Sequence, residues 1–117
     1  MKYMLLMYWN QAEAPDLSSP EAQQAAAKAW QALLVDAKAA DVLVSQNGVA
    51  PDSSTTTVRV REGKSMITDG PFAETHEQLG GYFLIDVENL DEAIRWAEKI
   101  PAVQYGSIEI RPLWSPG

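Results

Sequence analysis

Between residues 68 and 81 the chain reads TDGPFAETHEQLGG, which brings Asp69, Glu74, Glu77 and the one histidine, His76, close together in sequence. A carboxylate and an imidazole held near each other can move a proton, and neighbouring glutamates would raise the imidazole pKa. Asp69 is therefore a candidate catalytic acid or base, and His76 a second candidate. Each also has a plainer reading. Asp before Gly70-Pro71 is a turn former whose carboxylate is expected to accept the amide two residues on, and a lone histidine among polar residues is commonly solvated. Phe72 is expected to anchor the loop in the core. Residues 74–78 have helical preference, which predicts a short helical turn capped by Thr75.

A second group lies away from the predicted helices: Arg59, Tyr82 and Arg111, with Glu109 and Tyr8. Together with Glu74 of the loop, Arg59, Tyr82 and Arg111 are candidate ligand-binding residues for a small anionic or aromatic molecule. The alternative is that this polar face makes salt bridges across a subunit interface. Other chemistry is excluded by composition. The absence of cysteine removes disulfides, thiolate nucleophiles and thiolate-held zinc or iron–sulfur clusters, and one histidine rules out histidine-rich metal sites within one protomer. No phosphate loop, EF-hand spacing or nucleophile elbow occurs, so neither a metal nor a cofactor is expected. A net charge of −7 argues against nucleic acid as a partner, since that affinity comes from clustered Lys and Arg.

These residues need a scaffold, and 117 residues suffice for a single domain with a modest core. No apolar run approaches the roughly 20 residues of a membrane span, and MKYMLLMYWN is too short and strand-like for a signal peptide, so a cytoplasmic location is expected. Tyr3 to Trp9 is apolar throughout and reads as a strand covered on both faces. Ser19 and Pro20 open a helix running to about Ala40, with Ala26, Trp30, Leu33, Ala37 and Ala40 on one stripe. Thr57 to Thr68 reads as a hairpin turning at Glu62-Gly63. Gly81 to Val87 alternates as a strand. A second helix begins after Asn89, with Glu92 as capping-box partner, Ile94, Ala97 and Ile100 inward with Ala93 and Trp96 beside them, and Pro101 past its end. Ile108 and Ile110 mark a closing strand.

The order predicts an α+β domain, an elaborated ferredoxin-like β-α-β-β-α-β unit with the hairpin in the sheet and both helices on one face. The other face of the first strand would then be bare, which predicts a homodimer packed sheet to sheet.

MKYMLLMY, TTVRVREGK, TDGPFAET, EQLGGYFLIDV, LDEAIRWAEKIP and SIEIRPL together resemble the DGPF-domain proteins of the YCII-related family, over nearly the whole chain. The resemblance implies a small bacterial protein that assembles as a dimeric α+β barrel, with a functional link to extracytoplasmic-function sigma factors. Related chains carry Lys where this one has His76. The His–Asp pair suggested for the YciI-like branch is missing: the first helix holds no histidine, and Ile100 precedes Pro101. Two functions of different class follow. One is a dimeric small-molecule-binding or regulatory module with its pocket beside the DGPF loop; the other is an enzyme using Asp69 for proton transfer, helped by Glu74 or His76.

Overall fold

The computed structural model describes residues 1–114. Strand β1 (Lys2–Trp9) buries Tyr3, Leu5 and Met7 on one face and leaves Met4, Leu6 and Tyr8 half-buried on the other. Helix α1 (Pro20–Ala39) starts as its sequence dictates: Ser19 Oγ accepts the Ala22 N–H at 3.1 Å, and Pro20 occupies the first turn, where no N–H is needed. Leu33 and Ala37 are its buried residues, and half-buried Trp30 stacks on Phe83 with ring centroids 5.7 Å apart. Strands β2 (Leu43–Gly48) and β5 (Gln78–Asp86), helix α2 (Leu90–Glu98) and strand β6 (Ser107–Pro112) complete the body.

The four strands form one sheet in the order β2-β5-β1-β6, with every neighbouring pair antiparallel. Leu5 pairs with Phe83 on one side and Ile110 on the other, so these residues share a face. That face meets Leu33 of α1 and Ala93 and Ala97 of α2 in one core cluster, closed by Ile100 and Ala102. Leu5, Ile85 and Ile100 are its largest fully buried side chains, each contributing about 1.5–3 kcal/mol. The opposite face carries Met4, Leu6, Tyr82 and Leu84, and no helix of the described chain packs on it.

The hairpin is not part of this sheet. Strands β3 (Thr56–Arg61) and β4 (Lys64–Asp69) pair only with each other, and the sheet's remaining position is filled by β2. The polar run Ser45-Gln46-Asn47 hid β2 from a reading based on alternation. An edge strand with one solvated face tolerates such residues. The hairpin turn itself is as expected: Glu62 (φ 53°) and Gly63 (φ 75°) are both left-handed, as a two-residue hairpin turn with right-handed twist requires. The result is an arm whose outer strand is exposed along its whole length, with Val58 opposite Ile67 and both well exposed.

In α2, Asn89 Oδ1 accepts the Glu92 N–H at 3.0 Å. The reciprocal half of a capping box is not made, because the Glu92 carboxylate pairs with Arg95 instead. Ala93, Ala97 and Ile100 of the expected stripe are buried and Trp96 packs against the core, whereas Ile94 is 40% exposed and lies at the stripe's edge. Asn89→Ala removes the partner of one unpaired helix amide and is expected to cost about 1 kcal/mol. A thermal melt followed by circular dichroism should show this as a fall of roughly 4–6 °C.

Candidate functional site

The base of the arm, the 49–52 connection and the 71–75 segment enclose a cleft of about 680 Å³ against Tyr8 and Leu79 of the sheet. Its walls are apolar, from Val49, Val58, Pro71, Phe72 and Leu79, and its polar groups are hydroxyls of Thr55, Thr56, Thr57, Thr75 and Tyr8 with the Gln78 amide. Asp52 is the one carboxylate in the lining, and no Lys, Arg or His joins it. Such a surface suits an uncharged or weakly polar molecule, with hydroxyls to orient it.

The DGPF segment is positioned by hydrogen bonds to its backbone. The Gly70 N–H donates to the Thr55 carbonyl at 2.7 Å, and Thr57 Oγ1 donates to the Gly70 carbonyl at 2.7 Å. Gly70 can take part because it holds φ +90°, where a side chain would be strained. Arg59 Nη2 then donates to the Phe72 carbonyl at 3.3 Å, and Gln78 Nε2 to the Thr75 carbonyl at 2.6 Å. Residues 71–77 form bends and no helical turn. Thr75 Oγ1 bonds the Glu77 carbonyl and Asn10 Nδ2 the His76 carbonyl, so side chains take the acceptors that a helix would have used.

Two expectations for this loop change accordingly, those for Asp69 and Phe72, while His76 is solvated as its plainer reading had it. The amide two residues beyond Asp69 belongs to Pro71, which has no N–H, and among the described residues no hydrogen bond reaches the Asp69 carboxylate. Phe72 is 77% exposed at the cleft and anchors nothing in the core. His76 projects outward, its Nε2 3.2 Å from Glu13 Oε1 in a solvated contact.

The sequence candidates therefore separate into two places. Asp69 ends β4 and Glu74 is exposed in the loop, while Arg59 serves the Phe72 carbonyl; none of these lines the cleft, nor does His76. Tyr82 and Arg111 lie on the bare sheet face, since Leu6 pairs with Tyr82 and Met4 with Arg111. The Tyr82 hydroxyl accepts hydrogen bonds from Ser45 Oγ and Asn47 Nδ2, each 3.4 Å, which hold it below the usual tyrosine range. Arg111 Nε donates to Glu109 Oε1 at 2.6 Å, and this pairing raises the guanidinium further. Both groups are engaged within one chain and stand beside an apolar row of Met4, Leu6 and Leu84.

The sequence profile of the YCII-related domain matches residues 1–115, close to the whole chain. The chain belongs to the YCII-related family. It is also 42% identical over 73 residues to an uncharacterised protein of Rhizobium meliloti (strain 1021). That alignment spans 59% of this chain and 59% of the relative. For this YCII-related domain the cleft lining comes from four separate stretches, residues 8, 49–58, 71–75 and 78–79. Of these, the DGPF segment was the signal the sequence offered, whereas the Thr55-Thr56-Thr57 run reads equally as β-strand composition.

Proposed function

We propose that this YCII-related chain is a small-molecule-binding or regulatory module that acts as a homodimer, with its ligand in the cleft beneath the DGPF segment. The observation that carries the reading is the lining: a volume suited to a small organic molecule, apolar walls, oriented hydroxyls and a single carboxylate. An enzyme using Asp69 gains no support from this geometry, because among the described residues no hydrogen bond or ion pair joins Asp69 to Glu74 or His76, and none of the three lines the cleft.

We read the strand order, with the arm set aside, as support for a ferredoxin-like unit, and pairing two bare faces would give a dimeric α+β barrel. Two features favour a second copy as the cover. An isolated two-stranded hairpin is only marginally stable in water, so Val58, Val60 and Ile67 call for a packing surface. The arm, residues 56–69, also carries Arg59, Arg61 and Lys64 against Glu62 and Asp69, whereas the remainder has six cations against fourteen acids. Opposite signs favour contact between the arm of one copy and the body of another. We further propose a cytoplasmic module with a functional link to a sigma factor, read through protein contacts and not through nucleic acid, as the acidic surface suggests.

Native mass spectrometry of protein purified from cells tests the ligand. The expected result is a dimer carrying extra mass that is lost on denaturation and is reduced in a Leu79→Trp variant whose cleft is filled. A bare dimer in both proteins counts against the ligand; a monomer counts against the assembly.

A further inference from the structure

A second hollow, of about 560 Å³, lies on the helix side of the sheet and shares no residue with the cleft. Its walls include three aromatic side chains, Trp9, Trp30 and Tyr105. Trp9 and Tyr105 meet edge to face with centroids 6.2 Å apart and planes at 69°. Trp30 is fixed by its stack on Phe83. The β1–α1 connection closes the remaining side with Leu17 and one carboxylate, Asp16; no Lys, Arg or His lines the space.

The geometry points to a binding site for a small alkylated ammonium ion in this hollow. Aromatic faces carry the negative end of a quadrupole, and a weakly hydrated cation gains more from them than a neutral group of the same shape. Asp16 supplies the opposing charge. Its carboxylate accepts the Ser18 N–H at 2.9 Å, and the hydrogen bonds from Ser18 hold its pKa below the ordinary aspartate value, so it is ionised at neutral pH. An anion would meet that carboxylate and the ring faces with no compensating cation, and an uncharged molecule would use only the walls. The net charge of −7 adds long-range attraction for cations. The site is independent of the cleft and of its proposed ligand.

Choline and 3,3-dimethylbutan-1-ol make the test, because they share shape and hydroxyl and differ in whether nitrogen or carbon bears the methyl groups. Each is titrated into the full chain while the four tryptophan indole N–H resonances, assigned by Trp→Phe variants, are followed by NMR. Choline is expected to shift Trp9 and Trp30 saturably and to leave Trp114 in place, binding about tenfold more tightly than the alcohol. Asp16→Asn, at an exposed loop position, is expected to keep the spectrum of the folded protein and weaken choline about threefold. Equal affinity for the two molecules overturns the proposal, since the hollow would then read only apolar shape. So does the absence of a shift at about 100 mM choline, where even a millimolar site would be filled. An Asp16→Asn variant with unchanged choline affinity would refute the paired recognition by rings and carboxylate.

Discussion

Leu6→Asp is expected to turn the proposed dimer into a monomer while leaving the fold intact. Leu6 stands at the middle of the bare sheet face, paired with Tyr82 on one side and Glu109 on the other, and it is half-buried within one chain. In a single chain the aspartate would remain near water, so the helix-side core of Leu5, Phe83 and Ile85 is untouched. Across a two-fold axis the same residue is met twice, and each copy would bury a carboxylate without a partner. If each costs at least about 2 kcal/mol, the dissociation constant rises at least roughly a thousandfold. Light scattering after size exclusion should report half the wild-type mass with an unchanged far-ultraviolet spectrum. Lys28→Asp, on the solvent side of α1, should leave the mass as it was. A wild type that is monomeric at about 100 μM, well above the Kd of a standard-size specific interface, would remove the sheet-to-sheet argument altogether.

That argument was available in the sequence because it needs only composition and period. A strand apolar at every position from Tyr3 to Trp9 requires cover on both faces, and one layer of helices supplies only one. Local signals were equally readable: Ser19 with Pro20, Asn89, and Glu62-Gly63 each act within a few residues of themselves. Features fixed by distant contacts were not readable. Strand β2 is made by pairing with β5: only Val42 to Val44 show an apolar run, and the rest of the strand, from Ser45 to Gly48, has the composition of a connection. Phe72 has the composition of a core residue and the position of a rim residue, and only the path of the chain around Gly70 decides between them. Ile94 and Ala93 differ by one step around a helix, and which of the two is fully buried is set by what the helix packs against. The cleft's place beside the DGPF loop was readable but its lining was not, since Tyr8, Asp52, Thr57, Phe72 and Leu79 are neighbours only in the folded chain.

The sharpest local dependence in the body is between Gly80 and Trp9. Pairing of β1 with β5 skips one residue, because Met7 faces Gly81 while Tyr8 faces Leu79, and Gly80 is the residue left over in the bulge. The Trp9 ring lies directly on it: a Cβ at Gly80 would sit 2.1–2.4 Å from three carbons of that ring. Gly80→Ala must therefore displace the indole, and its expected cost is about 1–3 kcal/mol, the range for forcing extra volume into a packed site. For a domain of this size that corresponds to roughly a 5–15 °C fall in melting temperature. The decisive comparison repeats the change in a Trp9→Ala background, with stability measured by denaturant. The three atoms nearest that position all belong to the indole, so with the ring removed the steric penalty is expected to go, and the loss of glycine freedom in the unfolded chain should make Gly80→Ala neutral or stabilising by up to about 1 kcal/mol. The sign of one substitution thus depends on the presence of a single side chain, a coupling of about 1–4 kcal/mol between neighbours. An equal penalty in both backgrounds would show that the bulge backbone, and not the indole, is what requires glycine. Trp9 also walls the aromatic hollow, so Gly80→Ala is expected to weaken choline there as well, through displacement of a ring it does not share a strand with.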